Sequence, residues 1–323
     1  MESLMDRLER LRQGIAPGQT VLEIGPYFNP IAPRAAGYRS TVLDVFATEQ
    51  LRQRAAVDPH IPRERVAEIE EVDLVGSACD LADLTQARYG ADHRFDWILS
   101  SHNIEHIPNP VRFLEQCAAV LRPEGVLRLA IPDKRFCFDH FRPLSETSEW
   151  LEAFFENRTR PTAYQVYREE AHRSTPAAGG GGWTPTRRSL SLYREWFGPA
   201  GRVPADYVDT HCWAFTPESF ELIVRDTIAF GLVPLRIASV SATCGIEFYV
   251  DLGRPAAPVA VGEDDYYATR ERLLRCCVEG EARPGERPAV PSSPPHSVPR
   301  RVFREARRVV RQIRSVGQAA AGR

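Results

Sequence analysis

An open α/β fold with a largely parallel sheet is predicted by three observations. Short apolar runs recur at residues 20–24, 40–44, 72–75, 95–101 and 126–131. Segments with helical spacing separate most of them, the alternation that builds parallel strands joined by crossover helices. The first run breaks at Gly25-Pro26, and the second places Asp44 nineteen residues beyond that glycine. In such sheets a ligand sits beyond the carboxyl ends of the strands, where a glycine lets backbone approach it and the next strand's terminal acid meets ribose hydroxyls.

The elements follow in order. Residues 2–13 set Leu4, Leu8 and Leu11 at helical spacing among charges, a surface helix leading into the first strand. Residues 47–56 read as a helix and 59–65 as a loop. The third strand runs into Ser77-Ala78-Cys79-Asp80-Leu81, where Asp80 is also a favoured N-cap for a helix over 81–87. Strand four is followed by His102-Asn103-Ile104-Glu105-His106-Ile107-Pro108, a helix over 110–121, the turn Arg122-Pro123-Glu124-Gly125 and strand five.

From 133 to 215 the pattern is irregular. Residues 146–157 and 163–172 look helical, Gly179 to Gly182 form a flexible tetraglycine, and Trp183, Tyr193, Trp196, Phe197, Tyr207 and Trp213 stand among polar residues. So long an irregular stretch points to an insertion covering the site, either for a carbohydrate acceptor or as a packed lid around a tunnel. Thr216-Pro217-Glu218-Ser219 then opens a helix, with Thr at the cap and Pro in the first turn. Strands over 232–240 and 245–252 are spaced for a hairpin.

At 323 residues the chain can bury a full core. No apolar run reaches the length of a bilayer span and the N-terminus lacks a signal-peptide layout, so a cytoplasmic protein is expected. Seven cysteines with no C-x-x-C pair read as reduced thiols, and no metal site is expected. The net charge of −2 conceals an asymmetry: residues 299–323 carry eight arginines against one glutamate, which leaves the rest at −9, a balance that argues against nucleic acid as a partner.

The turn Gly25-Pro26-Tyr27-Phe28-Asn29-Pro30 lacks the later glycines of G-x-G-x-x-G and carries two prolines, so it is poorly built to wrap a pyrophosphate. Val21-Leu22-Glu23-Ile24-Gly25-Pro26, the S-x-x-x-E-H of the loop after strand four and the L-R-P-x-G before strand five resemble the class I S-adenosylmethionine-dependent methyltransferases. That resemblance covers roughly residues 15–253, interrupted by the insertion. It implies a Rossmann-like seven-stranded sheet in order 3-2-1-4-5-7-6, with the last strand antiparallel, and a cofactor carrying a sulfonium and no phosphate. It implies Glu23 and Gly25 near the methionine end, Asp44 on the ribose, Asp80 on the adenine amino group and Leu81 on the ring. Pro26, Val45 and Ser101 are assigned to the same cofactor site.

If the acceptor is a hydroxyl, a base must take its proton, and histidine is the usual choice. His106 and His102 are the candidate bases. The alternative is that they orient Glu105 or cap the helix near Pro110. Asp133, Lys134, Arg135 and His140 are expected to bind acceptor, with His140 and His211 as further bases; exposed solubilising charge is the alternative for Lys134 and Arg135. Pro-Asp-Lys-Arg-x-Cys-Phe-Asp after strand five and Phe-Thr-Pro-Glu-Ser-Phe before the hairpin resemble methyltransferases of bacterial surface-polysaccharide assembly. This implies a sugar hydroxyl of a glycan or its precursor as acceptor. A small molecule, a lipid headgroup or a non-catalytic cofactor-fold module are the alternatives.

The domain expectation is a methyltransferase domain over 1–253 with its insertion at 133–215, a helical extension over 254–281, a Pro-rich linker at 282–299 and a basic amphipathic helix over 300–323. Within that last helix, 300–316 would meet either the inner face of an anionic membrane or a partner helix.

Overall fold

The computed structural model describes residues 4–59, 61–177, 182–204, 207–257 and 262–282. Most of the tetraglycine and the Pro-rich and basic segments lie outside the described residues.

The chain begins with helix α1 (Leu4–Arg12) and strand β1 (Thr20–Ile24), then β2 (Arg39–Asp44), α2 (Thr48–Val57), α3 (Arg63–Val66), β3 (Leu74–Val75) and α4 (Leu81–Tyr89). β4 (Phe95–Ser101), α5 (Pro110–Val120) and β5 (Leu121–Pro132) complete the first wind. The middle segment holds α6 (Thr147–Phe155), α7 (Ala163–His172), a hairpin of β6 (Ser174–Pro176) and β7 (Trp183–Pro185), and α8 (Ser189–Leu192). α9 (Pro217–Ala229), β8 (Arg236–Val240), β9 (Glu247–Gly253) and α10 (Glu263–Ala282) follow. The main sheet runs β3-β2-β1-β4-β5-β9-β8. With the small hairpin left out of the count, this is the expected 3-2-1-4-5-7-6 order, and β9 is the strand that runs antiparallel to both neighbours.

Alternate residues serve opposite faces, as strand geometry requires. Leu22, Ile98, Leu127 and Leu129 enter the large core under α4, α5, α6 and α9. Val21, Trp97, Leu99 and Ala130 enter a smaller one under α1 and the loop carrying Ile31 and Ala32. Arg128 of β5 fastens α1 to the sheet. Its guanidinium is paired with Asp251 on both oxygens at 2.7 and 2.8 Å, donates to the carbonyls of Arg10, Leu11 and Gln13 and lies over the Trp97 ring. The helix's last carbonyls, which have no intrahelical donor, are satisfied from outside.

The strand that sequence starts at 126 starts five residues earlier. Phe95 pairs with Leu121 and Trp97 with Val126, so Arg122 to Gly125 bulge out of the ladder. Glu124 takes a positive φ there.

The region read as one irregular insertion divides. Helix α6 belongs to the body: Trp150 is buried in the main core edge-to-face against Trp213, Phe215 and Phe220. A second cluster of Val166, Leu192 and Trp196 holds α7 to α8. Trp213 and Trp196 are therefore packing residues, while Tyr193 and Tyr207 are exposed. No disulfide links the seven cysteines, and no helix among the described residues is long and apolar enough to cross a membrane.

Candidate functional site

The carboxyl ends of β1, β2 and β3 set out the first half of the site. The Gly25 N–H donates to Leu43 O at 2.8 Å, so the β1–β2 ladder runs into the turn. Gly25 has φ +64, the left-handed region that favours glycine, and a Cβ built on it would meet nothing within 4 Å. Open space lies against the backbone there.

Asp44 ends β2 and is 8% exposed. One oxygen accepts the Phe46 N–H at 3.0 Å, and the Val45 N–H also bonds the carboxyl. Burial pushes this carboxyl up to about 6, against the pull of the Phe46 and Val45 N–H groups and Arg54. Asp80, beyond β3, is exposed, and its side chain does not cap α4. Ser77 does the local capping, its hydroxyl accepting the Cys79 N–H at 3.1 Å. Val45 stands 61% exposed beside Asp44, and Pro26 is half-buried on the glycine turn.

Three residues of the expected cofactor set sit differently. Glu23 is buried, and its two oxygens accept the N–H groups of Ile31 and Ala32 at 2.6 and 3.0 Å. Its carboxylate folds the 25–33 loop onto the sheet and is not presented to a cation. Burial dominates its titration and lifts it to about 7, although both N–H bonds oppose the shift. Leu81 is 0% exposed within the main core and offers no face to a ring. Ser101 accepts from Arg7 at 2.6 Å.

The second half of the site is the loop after β4. His102 adopts φ +49, and its Nε2 lies 2.6 Å from Glu247, which also takes Arg7 and the Tyr249 hydroxyl. That network holds His102 as a structural partner of β9, in place of the expected base. His106 places Nδ1 3.0 Å from Asp209. Burial lowers the His106 titration, but Asp209, Glu105 and Asp139 outweigh it and raise it to about 9. The ion pair with Asp209 fixes the ring through Nδ1 and favours the charged imidazole.

Between these histidines lies Glu105, 0% exposed, with neither oxygen accepting a hydrogen bond. His211 packs beside it, its Nδ1 2.5 Å from Asp139. Burial leads the shift of His211 below the usual histidine range, with His106 adding to it against the pull of Asp139. Arg142, also buried, bonds the other Asp139 oxygen at 2.9 Å and the carbonyls of His211 and Cys212. The sequence singled out neither Asp139, Asp209 nor Arg142. Asp139 lies in the Phe138-Asp139-His140 triplet and Asp209 in Asp209-Thr210-His211, where an acid one or two residues before a histidine was the available signal.

The acceptor candidates after β5 are mostly spoken for. Asp133 is fully buried; it caps the turn at Arg135 N and accepts Arg135 and Thr243. These bonds occupy the Asp133 carboxylate, while the side chain of its partner Arg135 stays 33% exposed. Lys134 is buried, so the solubilising role does not apply to it. His140 places Nδ1 on Arg135 O at 2.9 Å and stacks on Trp183, ring centroids 5.5 Å apart and planes 18° apart. Beside it Phe141 is 42% exposed.

This chemistry fits S-adenosylmethionine better than a dinucleotide. Open space faces Gly25, Asp44 stands at the end of β2 where ribose hydroxyls would meet it, Asp80 is exposed for an amino donor, and the turn after β1 lacks the later glycines that cradle a diphosphate. A family model described as a methyltransferase domain matches residues 1–227. No curated protein sequence matches the chain.

Among solved structures, similarity extends to an S-adenosylmethionine-dependent methyltransferase from Mesorhizobium loti, at 15% identity, 78% of this chain, 100% of that one and a TM-score of 0.39. It also extends to the glycopeptide N-methyltransferase MtfA complexed with S-adenosylmethionine, at 14%, 77%, 92% and 0.37. A Galdieria sulphuraria protein described as a sarcosine dimethylglycine methyltransferase shares 16% identity over 40% of this chain, at a TM-score of 0.29, and this chain spans 48% of its length. Likenesses so distant carry no activity across. The family match is another matter: it takes in β1 to β5 and most of α9, strand ends included, and on that ground the chain belongs to the methyltransferase-domain family, with S-adenosylmethionine as its cofactor.

Proposed function

We propose that this S-adenosylmethionine-dependent methyltransferase acts on a sugar hydroxyl of a glycan or its precursor. The observation that carries the acceptor class is the aromatic surface where the chain leaves β5: the His140–Trp183 stack with exposed Phe141 at its side. Flat aromatic faces of this kind pack against the apolar faces of pyranose rings, and the ring hydroxyls stay free for polar partners.

When bound, the cofactor supplies an electrophilic methyl group on a sulfonium. The chain's own part is to place the acceptor behind that carbon and exclude water, a reaction in which orientation supplies much of the rate. Asp44 and Asp80 would hold the ribose and the adenine amino group. The 102–107 loop and the 209–215 segment, joined where Trp213 N–H donates to Glu105 O at 3.2 Å, would form the acceptor side.

Mass spectrometry of surface glycans from cells with and without the gene tests the acceptor class. One methyl group's mass should vanish from one sugar in the deletion strain. Glycans identical in both strains would rule the class out.

A further inference from the structure

We propose that Glu105, His106 and His211 form a binding site for one divalent first-row transition-metal ion. One ligand atom from each residue lies within 4.8 Å of the others. Glu105 is the anchor: both its oxygens are buried and accept no hydrogen bond, and two imidazole nitrogens, His102 Nδ1 and His211 Nε2, are each 3.9 Å from the same oxygen. That is too long for a hydrogen bond, so the carboxylate is desolvated without a close partner.

The imidazoles are prepared as ligands are. Each places Nδ1 on a carboxylate, His106 on Asp209 and His211 on Asp139. A carboxylate behind Nδ1 fixes the tautomer and the ring orientation, and it directs Nε2 to the metal. Asp139 is itself fixed by Arg142.

Three ligand atoms about 2.1 Å from one ion sit roughly 3–4 Å apart, so closure asks a contraction of about an ångström, within reach of a rotation of Glu105. Two imidazoles and one carboxylate suit zinc, manganese or ferrous iron, and three protein ligands leave coordination positions open. The site lies on the 102–107 loop beyond the carboxyl end of β4. An open position there would hold an acceptor hydroxyl by its oxygen. That use of the ion rests on the methyl-transfer reading above, whereas the ion site does not.

The test uses the full chain after chelator treatment and dialysis, titrated with Zn²⁺ alone by calorimetry and with Co²⁺ alone by visible absorption. The expected result is one ion per chain, with cobalt ligand-field bands and a raised melting temperature. Glu105→Gln keeps the side-chain shape and His106→Gln lies at a partly exposed position. Each should weaken binding at least 10-fold, and Asp209→Asn about 10-fold. Absence of stoichiometric binding to the unaltered chain, or undiminished binding in both ligand variants, overturns the site and leaves the cluster an ionic network. S-adenosylmethionine titrated into the same samples separates the two readings, since its failure to bind would end the methyl-transfer use of the ion without altering the metal isotherm.

Discussion

Asp44 and Asp80 are both acids at strand ends, yet burial treats them differently. Asp44 is enclosed enough that its carboxyl is lifted to about 6, and a ribose hydroxyl donates best to the ionised form. Affinity for S-adenosylmethionine should therefore fall as pH drops through about 6. Asp44→Asn should weaken binding tenfold or more and flatten that dependence. Calorimetry between pH 5 and 8 checks both, and a profile unchanged in the variant would remove Asp44 from the cofactor site. Glu23 titrates for a different purpose. Its carboxyl is raised from 4.5 to about 7 by burial, so the folded state holds a proton there that the unfolded state releases. The stabilisation is full below about 4.5 and is lost as pH rises through about 7. In Glu23→Gln the amide would turn an N–H against the amide of Ile31 or Ala32, at a cost of roughly 1–3 kcal/mol. Urea denaturation at pH 5 and pH 8 should show the variant less stable at both and with a smaller difference between them. Equal slopes would mean that another group carries the dependence.

At the scale of elements, most of the sheet was legible because its strands are short apolar runs bounded by glycine, proline or acid. Helix α7 falls on the expected residues, and α5 and α9 open with the expected proline. What failed had physical causes. The bulge that starts β5 at Leu121 is set by pairing with Phe95, a partner 26 residues away that local pattern does not reveal. Trp196 and Trp213 read as lid aromatics because no local periodicity marks a residue that packs against elements distant in sequence. The site showed the same limit. Glycine and strand-end acids have fixed spacings, whereas the cluster around Glu105 draws on positions 105, 139, 142, 209 and 211 and exists only after folding. Arg128 is a further long-range residue, joining α1, β5 and β9. Arg128→Met keeps the apolar stem but strands Asp251 and the α1 carbonyls, and it should cost about 2–4 kcal/mol. Hydrogen exchange would show α1 losing protection first, and protection unchanged in α1 would refute the fastening role.

For the molecule as a whole, the question is whether the segment between β5 and α9 is an appendage or part of one cooperative body. Trp150 decides it, since a ring on α6 is buried against Trp213, Phe215 and Phe220, and the last two reach the sheet through Asp133 and Phe248. Removing it leaves a cavity in the main core, which a large-to-small substitution at an aromatic site makes worth about 3–5 kcal/mol. In a domain of this size that is roughly a 10 °C fall in melting temperature. If α6 is integral, Trp150→Ala shifts a single transition, and calorimetry and tryptophan fluorescence report the same midpoint. If α6 were a separable cover, the variant would show an early partial transition with the main melt unmoved. Cofactor affinity measured below the transition should match the unaltered chain, because Trp150 supports the acceptor side of the sheet through Trp213 and lies apart from the strand ends that carry Asp44 and Asp80.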